Sequence, residues 1–134
     1  MDTQTKKQSI LIVEDDIPEL NALRDKFSRE GFATLEAKNG KQGLEIALRE
    51  HPDLILLDIV MPVMDGMTMM KKLRQADAWG KNVPIILLTN LSDDDKINKG
   101  LTEDEPAYYL VKSDWTINDV VEKVKEGYLG QSDF

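Results

Sequence analysis

The 134-residue chain has no cysteine. Disulfides, thiolate metal sites and cysteine nucleophiles are excluded. Histidine occurs once, at His51, near the end of a helical pattern, where it reads as structural or solvated. No apolar run approaches the roughly 20 residues of a membrane span. The first eight residues are polar, with Lys6 and Lys7 as their bases and no apolar stretch of secretory type after them, so no signal peptide is expected. Basic residues are the minority: 17 Lys and Arg against 25 Asp and Glu give a net charge of −8. Phosphate backbones and anionic membrane surfaces both need a basic footprint, so neither is an expected partner. The chain shows no repeat, low-complexity tract or internal linker.

The length fits one domain with a real core, and 41% hydrophobic with 31% charged residues is an ordinary balance for a soluble fold. The expected organisation is a polar tail over 1–8, one domain over 9–127 and a short tail over 128–134, in a reducing cytoplasm. Strand-like and helix-like patterns alternate five times. The expected strands are Ser9 to Val13, Thr34 to Ala37, Leu54 to Leu57, Ile85 to Leu88 and Tyr108 to Val111. Asp16, with Pro18 and Glu19 behind it, suits a helix start, and Leu20, Leu23 and Phe27 form that helix's apolar face up to Gly31. A second helix opens near Asn39 and is expected to bury Leu44, Ala47 and Leu48. A third runs from about Gly66 to Gln75, with Met69, Met70 and Leu73 inward. Ser92 caps an expected fourth, and Thr116 a last one with the stripe Ile117, Val120, Val121 and Val124. Such serial units imply a parallel sheet covered by helices on both faces.

Ligands of open α/β sheets sit beyond the carboxyl ends of the strands. The residues found there are informative. Glu14, Asp15 and Asp16 follow the first strand, Asp58 the third, Thr89 the fourth and Lys112 the fifth. Gathered carboxylates repel one another, so a cation is expected among them. Asp16 is assigned to helix capping and Asp65-Gly66 to a turn. Asp93-Asp94-Asp95 reads as a charged helix start, and the methionines between Met61 and Met70 as packing. Trp79 and Trp115 fit either packing or partner contact.

In order along the chain stand Glu14-Asp15, the Asp58 strand, Met61-Pro62 with Asp65-Gly66, the Thr89 strand end, and Tyr109 three residues before Lys112. This set resembles the receiver domain of two-component response regulators, of the stand-alone chemotaxis-regulator type, from Ile10 to about Lys125; a relay intermediate and a domain of a longer protein fit equally well. The resemblance implies a flavodoxin-like (βα)5 fold with a five-stranded parallel sheet in the order 2-1-3-4-5. It implies Asp58 as phosphoacceptor. Mg²⁺ would be held by Glu14, Asp15, Asp58 and the backbone carbonyl of Val60. Thr89 and Lys112 would act on the phosphoryl oxygens, and Thr89 and Tyr109 would carry the switch. The implied phosphodonor is a histidine kinase or histidine phosphotransfer protein. The output is a protein-binding surface spanning Asp93 to Gly100, Tyr108 to Val111 and Trp115 to Lys125. No catalysis beyond the domain's own phosphorylation and dephosphorylation is implied.

The chain departs from the family at named positions. Ser113 follows Lys112 where proline is usual, and a cis bond there costs about 2.5–4 kcal/mol instead of about 0.5–1 kcal/mol. Asn90 replaces a small residue. Val60 and Leu91 are apolar where many relatives are polar, and all three are expected to tune the attack of water on the phosphorylated form. The 102–106 segment is acidic and irregular. Rival readings are a degenerate receiver acting as a binding module, an aspartyl-nucleophile phosphatase of haloacid-dehalogenase type, and a flavin or nucleotide binder. The phosphatase needs a second acid where Val60 stands. The nucleotide binder needs a phosphate cradle where Glu14-Asp15-Asp16 would repel phosphate.

Overall fold

The computed structural model describes residues 7–89, 108–111 and 116–128. Its strands are β1 (Ser9–Val13), β2 (Ala33–Ala37), β3 (Leu54–Asp58), β4 (Ile85–Thr89) and β5 (Tyr108–Val111). They form one parallel sheet in the order β2-β1-β3-β4-β5. The helices are α1 (Ile17–Arg29), α2 (Gly40–Glu50), α3 (Gly66–Ala76), a short α4 (Ala78–Asn82) and α5 (Ile117–Lys123), which runs into a turn of π-helix over Val124–Tyr128. The expected helix from Ser92, with Asp93-Asp94-Asp95, lies outside the described residues. So do Asn90, Leu91, the 102–106 segment, Lys112, Ser113 and Trp115.

The central strands are apolar because both faces are covered, and period-2 alternation divides their side chains between two cores. Leu11, Val13, Ile55, Leu57, Ile85 and Leu87 pack with Ala47 of α2 and Met69, Met70 and Leu73 of α3. Ile10, Ile12, Leu54, Leu56, Ile86 and Leu88 pack with Leu20, Leu23 and Phe27 of α1 and Val120, Val121 and Val124 at the C-terminal end. Lys125 Nζ donates to Glu30 Oε1 at 2.8 Å, tying that end to the last turn of α1. Lys125 first, then Lys26, holds the Glu30 carboxyl below its ordinary range.

Helix starts follow side-chain chemistry. Asp16 accepts the Glu19 N–H, Asp65 the Thr68 N–H and Asp77 the Gly80 N–H. Thr116 and Asp119 form a reciprocal capping box. At α2, Asn39 accepts the Gln42 N–H, while the Gln42 side chain accepts from the Lys38 N–H instead of from the cap itself. The buried face of α2 also departs from expectation. It consists of Gly40, Gly43 and Ala47, with Leu44 and Leu48 only partly buried. The helix approaches closest through these glycines, and Leu44 and Leu48 pack against the margin of the core. The short α4 was not expected from periodicity, because five residues give too little pattern. His51 ends α2 in the left-handed region (φ 49°) and stacks on Trp79, ring centroids 4.2 Å apart. The pair lies at the sheet edge where β3 and β4 begin, with Trp79 partly buried against the core and His51 exposed.

Candidate functional site

The strand order reverses between β1 and β3, and this is where ligands collect. Val13 pairs with Leu57 in register. Glu14 and Asp58 therefore stand side by side at the carboxyl ends of adjacent strands, both continuing the row of side chains that faces α1. They are buried, at 2% and 8% exposure, and are the two buried charged residues described. Asp15, next along the loop, is exposed. One carboxylate oxygen from each of Glu14, Asp15 and Asp58 lies within 4.8 Å of the others.

Local backbone chemistry holds these groups in place. Glu14 donates its N–H to the Ala37 carbonyl at 3.0 Å, and its carboxylate accepts the Asp16 N–H at 3.1 Å. Asp16 then caps α1, as its sequence position implied. Asp58 Oδ1 accepts the N–H of Ile59 at 2.9 Å, which fixes the rotation of the carboxylate about the strand end.

The loop after Asp58 is tightly built. Gly66 donates to the Ile59 carbonyl at 2.8 Å. A Cβ on Gly66 would sit 2.2 Å from the Asp58 carbonyl oxygen, so only glycine fits. Inside the loop, Met64 donates to the Pro62 carbonyl at 2.7 Å with Val63 at φ 70°. This is the rare γ-turn of positive φ, and a β-branched residue is poorly suited to it. Val63 is 76% exposed and Val60 61%. Val63→Asn removes no buried contact and places a residue more tolerant of positive φ. It is expected to raise stability by about 1 kcal/mol, seen as a higher urea midpoint at unchanged slope. An unchanged or lower midpoint would show that the turn stores no strain.

Thr89 ends β4 and pairs with Val111, the last residue of β5; Asp58 pairs with Leu88. The backbone thus brings Thr89 and the end of β5 to the same sheet edge as the carboxylates. Tyr109 lies within β5, paired with Leu87. Lys112, next in the chain, falls outside the described residues. Sequence reasoning singled out Gly66, as part of a turn, but missed Gly40, which presses on the same loop from α2. Its position was visible, but a close approach has no periodic signature.

The carboxylate set suits a small hard cation. Around Mg²⁺, ligand oxygens about 2.1 Å from the ion lie about 3 Å apart when adjacent and about 4.2 Å when opposite. Three carboxylate oxygens within 4.8 Å of one another come within about 0.6 Å of the widest separation in that shell, a gap that small side-chain rotations close, with water completing the shell. Among the described residues, the cluster holds carboxylates alone.

Comparison with known proteins agrees with this geometry. The family model of the response regulator receiver domain matches residues 10–125. The chain is 37% identical over 92 residues to sporulation initiation phosphotransferase F of Bacillus subtilis, covering 69% of this chain and 72% of that protein. It is 30% identical over 128 residues to the polar-differentiation response regulator DivK of Brucella ovis, covering 93% and 98%. Three further relatives are longer transcriptional regulators, of which the match spans 35–44%. Among solved structures, a CheY-like receiver domain protein from Methanospirillum hungatei superposes with a TM-score of 0.82 at 25% identity, over 90% of this chain and 93% of that one. The parallel sheet, the buried acids at its switch point and the match over residues 10–125 lead to one assignment: the chain belongs to the response regulator receiver domain family.

Proposed function

We propose that Asp58 is the phosphoacceptor of a two-component phosphorelay. The observation that carries this reading is the convergence of Glu14, Asp15 and Asp58 carboxylates at the β1/β3 switch point. A buried aspartate held by its neighbour's amide is a positioned nucleophile. One Asp58 oxygen attacks the phosphorus of a phosphohistidine in line. A P–O bond forms as the P–N bond breaks, and the departing imidazole keeps the ring's electron pair. The phosphodonor is a histidine kinase or histidine phosphotransfer protein, and the compartment we assign is the cytoplasm.

Mg²⁺ bound by Glu14, Asp15, Asp58 and the Val60 carbonyl would offset the negative charge gathered on the transferring group. Lys112 pairs with one phosphoryl oxygen and the Thr89 hydroxyl donates to another. Movement of Thr89 and reorientation of Tyr109 then bias the surface that includes β5 and α5 toward a downstream protein. The domain turns over no separate substrate. It catalyses its own phosphorylation and dephosphorylation.

The test is intact mass after incubation with a small acyl-phosphate donor, with and without Mg²⁺. Wild type is expected to gain one phosphoryl group only with Mg²⁺, and Asp58→Asn none. A folded wild-type protein that gains no mass would instead point to a phosphorylation-independent binding module. Release of inorganic phosphate from added monoesters would point to a phosphatase.

A further inference from the structure

The loop that carries Asp58 into α3 is gripped from a helix outside the site. Gly40, the first residue of α2, donates its N–H to the Met64 carbonyl at 3.0 Å. A Cβ at Gly40 would lie 2.3 Å from that same oxygen and 3.1 Å from the Asp65 carbonyl. The obstacle is backbone, which has no rotamer with which to yield. Gly43, one turn on, differs in kind. A Cβ there would meet the Met69 sulfur at 2.9 Å and the Val13 methyl groups at 3.0 Å, all side-chain atoms of the core. Two glycines on one helix thus face different things, one the loop's backbone and the other the core's side chains.

The Met64 carbonyl that Gly40 grips belongs to the residue that closes the γ-turn through Pro62. The same loop is closed at its base by the Gly66 bond to Ile59, whose own amide holds Asp58 Oδ1. Backbone hydrogen bonds join Gly40 to Met64 and Gly66 to Ile59, the Ile59 amide holds the Asp58 carboxylate, and Asp65 alone separates Met64 from Gly66 along the chain. A turn held at positive φ by Val63 stays bent only while its surroundings hold it.

We propose that Gly40 is a positioning residue for the phosphoacceptor loop: it clamps Met64, and through it sets the geometry of the Val60 carbonyl and the Asp58 carboxylate toward the cation. The inference rests on the phosphoacceptor reading, but the clamp has its own readout. Gly40→Ala forces the Met64 carbonyl away and loosens the loop. Gly43→Ala crowds the core and leaves the loop alone.

The experiment is backbone amide NMR of the full chain, titrated with Mg²⁺ alone, for wild type, Gly40→Ala and Gly43→Ala. Gly40→Ala is expected to weaken Mg²⁺ binding at least tenfold and to speed exchange of the Ile59 and Gly66 amides at least tenfold. Gly43→Ala, though less stable, is expected to bind Mg²⁺ within twofold of wild type. If the two variants weaken binding to within threefold of each other, Gly40 is only a packing residue and the proposal fails. If wild type binds no Mg²⁺, the phosphoacceptor reading fails, and exchange at Ile59 and Gly66 alone decides the clamp. Should Gly40→Ala not fold, wild type decides: if the Gly40–Met64 bond sets the cation site, Mg²⁺ is expected to slow exchange of the Gly40 amide at least tenfold more than that of the Gly43 amide, which bonds to the Asn39 cap of α2 itself, and equal slowing of the two overturns the clamp.

Discussion

At a Mg²⁺ concentration one hundred times its dissociation constant, the wild-type protein is expected to gain about 2.7 kcal/mol of stability, and Asp15→Asn to gain almost none. The reason lies in the acid cluster. Glu14 and Asp58 are buried and stand on adjacent strands, while Asp15 reaches the same point from the solvent side. Two unit charges about 5 Å apart repel by about 1 kcal/mol even at the dielectric of water. Folding therefore gathers charges that the unfolded chain keeps apart, and a cation bound only by the folded state reverses that cost. Asp15 is the right residue to change. It is exposed, so an amide there leaves no buried group unsatisfied, whereas Glu14 and Asp58 both hold backbone amides. Without Mg²⁺, Asp15→Asn is expected to be a few tenths of a kcal/mol more stable than wild type, through relief of a solvent-screened repulsion. Urea denaturation with EDTA and with Mg²⁺, for both proteins, measures all four values. Equal Mg²⁺ stabilisation of wild type and Asp15→Asn would remove Asp15 from the cation site.

Much of this site was legible because it lies where strands end. An apolar run stopping on a carboxylate is a sharp signal, and Ile10 to Val13 before Glu14 and Leu54 to Leu57 before Asp58 gave it twice. The register that sets Glu14 beside Asp58 follows from parallel pairing of those two runs. Helix starts were equally readable, since Asp16, Asn39 and Thr116 act through bonds three residues long. The buried face of α2 was read less well. Its pattern of leucines suggested a contact through Leu44 and Leu48, but the closest approach runs through Gly40, Gly43 and Ala47. A glycine announces itself in sequence as a breaker, not as the point where two backbones meet. The strained turn at Val63 was likewise hidden. Its φ is set by the Pro62–Met64 bond and the grip of α2, which are tertiary facts.

Phe27→Ala is expected to cost about 3–5 kcal/mol while leaving the Mg²⁺ affinity of the folded protein within twofold of wild type. Phe27 is fully buried in the core between α1, the sheet and the C-terminal helix, with Leu56, Val120 and Val121 in the same cluster. Its ring meets Phe32 edge-on, with centroids 5.5 Å apart. Its carbonyl accepts the N–H groups of both Glu30 and Phe32, so the residue also fixes the turn from α1 into β2. The expected loss is a large share of the roughly 5–15 kcal/mol of a domain's stability, and corresponds to a melting temperature lower by about 11–18 °C. The carboxylate cluster escapes because Phe27 lies near the far end of α1, three turns from the Asp16 cap that borders it. The cap, the Glu14 bond to Asp16 and the Ile59 bond to Asp58 are all local. Calorimetric Mg²⁺ titration below the melting temperature separates the two quantities. A more than fivefold weakening in Phe27→Ala would mean that the α1 core and the carboxylate site are one cooperative unit, and that affinity at Asp58 is set through the whole helix and not by the strand ends alone.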